Sequence, residues 1–294
     1  MKTNPIIPNK PNTMRLTIDI GNTRSKWALF EGDRMVRCGY MGEEMPDLTY
    51  PGLRQTFTGC LLPLSRGDSP ASILVCATGD ADLHALGLEG EQVHRLTADM
   101  PLPITLDYTT PETLGPDRIA AACGAWKVGR KDCPKVIIDA GTCITIDYLD
   151  ADGVYHGGAI LPGIEMKFRA LHTFTAKLPL LENIGGEEEC VAGRSTRESM
   201  TAGVLTATRY EVEGFVRHYR SMDEQTQVLL TGGDAERLLG DGRLRVKDVS
   251  VEPHLVMIGM NEILKLIIET YPPASRYPSE EGTGGSHKQE TTRK

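Results

Sequence analysis

One turn occurs twice in this chain, and that repetition constrains its fold more than any other feature. Ile18-Asp19-Ile20-Gly21-Asn22-Thr23-Arg24-Ser25-Lys26 is echoed by Ile138-Asp139-Ala140-Gly141-Thr142-Cys143-Ile144-Thr145, with Asp19 and Asp139 lying 120 positions apart. Each copy runs from an apolar stretch into Asp, Gly and Thr, then back into a β-prone run. Asp closes the strand, Gly permits a tight reversal, and Thr offers a hydroxyl and a backbone N–H. A strand–turn–strand of this kind can hold phosphate and a cation at its tip. Ordinary hairpins with glycine turns explain either copy alone, since Gly-Asn suits a positive-φ turn without any function. Two copies at domain-sized separation point instead to a duplicated fold gripping one nucleotide from both sides.

With 294 residues, the chain is long enough for two cores. A net charge of −8 argues against broad binding to nucleic acid or anionic membrane, though local basic pockets can still take small anions. The seven cysteines include no C-x-x-C pair and are odd in number, which favours reduced thiols in a cytoplasmic protein over a disulfide framework or a zinc site. No histidine pair has metal-ligand spacing, and no apolar run reaches membrane-spanning length. Residues 1–13, rich in Pro and Asn, and residues 272–294, rich in Gly, Ser, Thr and charge, read as disordered, with the fold starting at Met14.

Between these ends the pattern predicts strands at 15–20, 26–30 and 35–40, then a buried strand at 72–77 and a proline-rich loop over 98–113. A helix follows at 117–127, then strands at 135–138, 142–149 and 154–161. A long helix over 196–218, a strand at 227–230 and an amphipathic helix over 253–270 close the pattern. Three antiparallel strands followed by mixed α/β therefore occur twice. That order predicts two similar α/β domains, 14–125 and 126–271, with a cleft between them.

The chain has no G-x-x-x-x-G-K-[ST], no G-x-G-x-x-G between strand and helix, and no G-x-S-x-G, which removes three common catalytic frameworks. What remains are the paired turns and Gly232-Gly233 after a late strand. Phosphoryl transfer needs positioning, charge neutralisation and a carboxylate for the acceptor hydroxyl. Asp117, after Gly115-Pro116 at a helix start, is a candidate for the last part; a plain first-turn charge explains it equally well. Arg118 can bind an anionic group on the acceptor or face solvent. Lys26 can reach a phosphate or be a solvated strand residue.

Together, Asp19-x-Gly21-Asn22-Thr23-x-x-Lys26, Gly115-x-Asp117-Arg118, Asp139-x-Gly141-Thr142-x-x-Thr145, Gly157-Gly158-x-Ile160-x-Pro162-Gly163 and Gly193-x-Ser195-Thr196 resemble the type III pantothenate kinases. The likeness runs from about Met14 to Thr270. Asp-x-Gly-x-Thr alone marks only the wider actin-like superfamily; the Gly-x-Asp-Arg and Gly-x-Ser-Thr motifs narrow it. The resemblance implies ATP-dependent phosphorylation of pantothenate, the first step toward coenzyme A. It also implies an actin-like ATPase fold of two ribonuclease-H-like domains, magnesium with the nucleotide, a monovalent cation (potassium or ammonium) and a homodimer. By matched position, Asp19, Ile20, Gly21, Asn22, Thr23, Arg24, Ser25 and Lys26 hold the ATP phosphates and Thr142 touches ATP. Asp117 accepts the proton, Asp139 binds the monovalent cation, and Tyr108, Gly115, Pro116, Asp117, Arg118 and Thr196 line the pantothenate site. Cys143 departs mildly from the small residue expected there.

Two other classes stay open at this level: a regulatory protein without catalysis on the same fold, and another actin-like kinase or phosphohydrolase. Intact Asp117, Asp139 and Thr142 weigh against the first. A hydrolase would need a positioned water, whereas a kinase excludes water and binds an organic acceptor.

Overall fold

The computed structural model describes residues 14–41, 72–77, 79, 93–182, 191–240 and 242–271. The expected disordered ends, 1–13 and 272–294, lie outside the described residues. The first sheet contains β1 (Met14–Ile20), β2 (Ser25–Glu31), β3 (Arg34–Tyr40), β4 (Ser72–Ala77) and β5 (Val93–Arg95), in the order β3-β2-β1-β4-β5. β1, β2 and β3 are antiparallel neighbours, while β4 and β5 add in parallel. β4 is buried along its whole length, as its unbroken apolar run requires of a central parallel strand.

The second sheet contains β6 (Thr105–Leu106), β7 (Lys135–Ala140), β8 (Cys143–Leu149), β9 (Val154–Pro162), β10 (Gln227–Thr231) and β11 (Val249–Val251). Its order, β11-β10-β7-β8-β9-β6, reads backwards as the first sheet's pattern plus β6 at the edge. Again three strands are antiparallel neighbours and two add in parallel. The repeated turn is thus the visible part of a repeated sheet, and the whole is the actin-like arrangement expected.

The helices are α1 (Pro116–Val128), α2 (Ile164–Thr173), α3 (Thr196–Thr201), α4 (Ala207–Met222), α5 (Ala235–Leu239) and α6 (Leu255–Thr270). α3 and α4 are joined by a π-helical stretch, Ala202–Thr206, so the expected long helix is continuous but changes pitch. α2, α5 and β11 are elements that the apolar pattern alone does not announce.

α1 and α6 form the joint of the molecule. A Cβ on Gly259 would stand 1.8 Å from the Ala120 carbonyl oxygen, and one on Gly124 would stand 2.2 Å from that of Leu255. Only glycine permits so close a crossing. Alanine fills the rest of the α1 surface, and Ala120, Ala121, Ala122 and Ala125 are all buried. The core around this crossing draws Phe30, Leu74 and Cys76 from the first sheet and Ile137, Leu149 and Leu229 from the second. The last helix also packs on the first sheet: Arg15 Nε on β1 donates to Asn261 Oδ1 of α6 at 2.8 Å. The five described cysteines are free thiols. Among the described residues no helix is long and apolar enough to cross a membrane.

Candidate active site

The two Asp-Gly-Thr turns meet tip to tip. Thr23 Oγ1 in the β1–β2 turn lies 2.8 Å from Thr142 Oγ1 in the β7–β8 turn. Both threonines are exposed. Behind each tip an aspartate occupies the same place in its sheet. Asp19 pairs with Lys26 on β2 and Cys76 on β4; Asp139 pairs with Thr145 on β8 and Thr231 on β10. Register fixes this equivalence, because a slip of one residue would turn either carboxylate to the other face.

Asp117 joins these two from the first turn of α1. Burial pushes the Asp19 carboxyl up to about 6, with the Asp117 charge adding and Lys26 and the Cys76 thiol opposing. Asp139 is pushed up to about 7, again by burial first and then by Asp117, with Asp19 adding and Lys26 opposing. Three carboxylates therefore share one field, and Lys26 is the cation that offsets it at both Asp19 and Asp139. Such a site stores repulsion that a bound cation would relieve. Among the described residues no three His, Cys, Asp or Glu side chains form a complete metal site. Magnesium commonly takes only one or two carboxylates, completing its shell with water and substrate phosphate, so the donor set fits a nucleotide-borne ion.

Glycines keep this region open to backbone. Gly232, at φ +95°, follows β10; a Cβ there would stand 2.5 Å from Asp139 Oδ1 and 2.3 Å from the Ala140 carbonyl oxygen. A Cβ on Gly163 would meet the Gly141 and Thr142 carbonyl oxygens at 2.3 and 2.4 Å. The Gly157-Gly158 motif supports the neighbouring side. Gly157, at φ +82°, packs under the Tyr108 ring, and Gly158 packs on Asp147.

Gly115 caps α1, Pro116 begins it, and the Arg118 N–H donates to Asp117 Oδ1 at 2.9 Å. This locks the Asp117 side chain over the helix start. Of the two expectations for Arg118, facing solvent does not hold. Its guanidinium is buried and spends its fork on Asp147, with Nε donating to Oδ1 at 3.1 Å and Nη2 at 2.5 Å. The Tyr155 hydroxyl donates to the same Oδ1 at 2.8 Å. Burial works against the Arg118 charge, but the Asp147 bonds outweigh it and hold the guanidinium charged. Tyr108 borders it, ring centroid 6.0 Å away, and packs on Tyr155. Tyr108, Gly115, Pro116, Asp117 and Arg118 thus form one continuous wall.

Sequence reasoning missed Asp147 and Tyr155, which hold that wall from beneath. It also missed His156, whose Nδ1 lies 3.0 Å from Asp107 and whose Nε2 lies 2.8 Å from Asp150. Arg24 and Lys26 both stand by the Tyr40 ring, at 5.5 and 5.9 Å. Ile20, Gly21, Asn22 and Ser25 complete the first tip. Thr196 is set apart. It opens α3 behind the Ser195 cap, is exposed, and belongs to a helical layer packed around Ile164, Phe168 and Met200.

A family model described as type III pantothenate kinase matches residues 15–218. The chain belongs to the type III pantothenate kinase family. A type III pantothenate kinase of Cytophaga hutchinsonii is 36% identical over 252 residues, covering 85% of this chain and 98% of that protein. One of Phocaeicola vulgatus is likewise 36% identical over 252 residues, with the same coverage. Among solved structures, a Campylobacter jejuni protein described as a Baf family transcriptional activator superposes with a TM-score of 0.52 at 20% identity. It covers 86% of this chain and 99% of that one, and the likeness is one of fold. The type III pantothenate kinase match spans both hairpin tips and the start of α1, the segments that carry Asp19, Asp139 and Asp117.

Proposed function

We propose that this chain transfers the γ-phosphoryl group of ATP to the hydroxyl of pantothenate, giving 4'-phosphopantothenate for coenzyme A synthesis. Family membership supports the substrate and reaction. One structural observation supports the place: Asp19, Asp117 and Asp139 share one field directly behind the touching tips at Thr23 and Thr142.

In this reading residues 14–125 and 126–271 are the two units, and the cleft between the tips takes ATP. Asp19 to Lys26 and Thr142 line the phosphate path, with backbone N–H groups and Lys26 facing developing negative charge. Magnesium would sit with the phosphates near Asp19, and a monovalent cation, potassium or ammonium, near Asp139; their chemistry is charge neutralisation. Asp117 accepts the proton of the pantothenate hydroxyl. That oxygen then bonds to the γ-phosphorus as the bond to the β-phosphate oxygen breaks, and ADP leaves with the electron pair. Tyr108, Gly115, Pro116 and Arg118 line the pantothenate side. Asp147 takes the Nε and Nη2 donors of Arg118 and holds the guanidinium in this wall, and its remaining N–H donors suit the pantothenate carboxylate.

The homodimer belongs to the same reading. Phe174, Val191 and Tyr210 are exposed by 86, 75 and 51% around the α2–α3–α4 layer, an apolar surface suited to a second copy. Thr196 stands on that layer, so a partner's edge there would bring it toward a pantothenate site. The reduced thiols suit a cytoplasmic enzyme. ADP release measured with and without pantothenate tests the function. Release that depends on pantothenate supports it; equal release in both, or none, overturns it.

A further inference from the structure

The second sheet carries a basic recess at the end away from the carboxylates. Its volume is about 680 Å³, and its walls include Arg217, Arg220 and Ser221 of α4 and Arg245, Val246 and Lys247 before β11. Arg220 marks the level of the recess in the sheet. Its Nε donates to the Thr226 carbonyl at 3.3 Å and its Nη2 to the Lys247 carbonyl at 2.9 Å. Asp139, by contrast, is level with Thr231 at the other end of β10. Five residues of strand separate the two levels, roughly 16 Å at the usual rise. The recess is therefore outside the proposed catalytic cleft.

The charges of the recess are poorly balanced. Four cationic side chains face two carboxylates, Glu213 and Glu224, in a chain whose net charge is −8. Glu213 is buried and already accepts the Arg245 backbone N–H at 2.8 Å. The side chains of Arg217, Arg245 and Lys247 make no ion pair among the described residues, and all three are exposed. Unpaired cations brought together repel one another, and an anion removes that repulsion. The carbonyl end of α4 also faces this region and by itself disfavours anions. Any anion held here is therefore held by the side chains.

The chemistry of those side chains narrows the ligand. Two guanidinium forks match pairs of phosphoryl oxygens, and the lysine adds a point charge. Val216 and Val246 supply an apolar floor for an organic part. The volume falls within the range of small-molecule sites. We propose that this recess is a second, non-catalytic site for a small phosphorylated molecule.

Inorganic pyrophosphate is a suitable probe, titrated calorimetrically into protein whose cleft is saturated with magnesium and a non-hydrolysable ATP analogue. One further site per chain is expected in the wild type. Arg217→Ala/Arg245→Ala should weaken it at least tenfold while leaving kcat and KM for ATP unchanged without pyrophosphate. Arg34→Ala, which removes an exposed cation from β3, should bind as the wild type does. Absence of a saturable second site, or equal affinity in the double variant and the wild type, would overturn the proposal.

Discussion

Asp147→Ala should damage the fold before it damages the chemistry. Arg118 is only 5% exposed, and Asp147 is the carboxylate that takes its fork. Removing that carboxylate strands a buried guanidinium and takes an acceptor from Tyr155. Breaking one side of a buried pair costs about 3–5 kcal/mol, because the remaining charge has lost both water and partner. Little relaxation can offset this, since Gly158 packs directly on Asp147 with no space for even a Cβ. Urea denaturation of wild type and variant at one pH measures the loss. The mechanism also makes a sharper demand. Asp147→Ala/Arg118→Met removes both charges and should be more stable than Asp147→Ala alone, despite carrying one more substitution. A loss below about 1 kcal/mol in the single variant, the scale of an exposed pair, or a double variant less stable than the single, would refute the reasoning.

Asp117→Asn should leave the melting temperature nearly unchanged and reduce kcat by about 10²- to 10⁴-fold, as expected for a lost general base; a variant keeping most of its kcat removes that role. Asp19 and Asp139, at about 6 and 7, lie above the ordinary carboxylate range, so the stability they contribute is full below about pH 4 and lost as pH rises through those values. A bound cation should restore it. The gain in melting temperature from magnesium plus potassium should therefore be larger at pH 8 than at pH 5, and smaller in Asp139→Asn; equal gains at both pH values contradict this. His156 is raised by its bond to Asp150, against a smaller opposing effect of burial and with Asp107 adding. Its contribution is present below about pH 6.5 and lost as pH rises through its higher folded value. Ring-proton shifts followed by NMR should titrate above 6.5, and a midpoint below that would show the clamp is not cationic.

Local features of the chain were legible where local chemistry decides the outcome. Ser72–Ala77 is a strand because a short β-branched apolar run has few alternatives, and both Asp-Gly-Thr turns declare themselves by residue type. α1 is legible through Gly-Pro followed by alanine. α2 is not, because its helix buries only Ile164 and Phe168 and its Gly163 cap has no side chain. β6 is two residues long and exists only because β9 is beside it. Asp147 is the instructive omission. It lies 29 positions from Arg118 on another element, and neither residue's surroundings in sequence suggest the pairing. Sequence alone therefore leaves Arg118 to an acceptor or to solvent. The fold turns it inward because β8 places the buried Asp147 carboxylate within hydrogen-bond reach of its guanidinium.

The most direct test of the central claim is the identity of the product. Protein incubated with ATP, magnesium, potassium and pantothenate can be followed by mass spectrometry and ³¹P NMR. The account predicts one phosphate monoester of pantothenate, formed in equal amount to ADP and nearly absent with Asp117→Asn. Inorganic phosphate as the product, or a phosphate ester formed equally well by the Asp117→Asn variant, would contradict it.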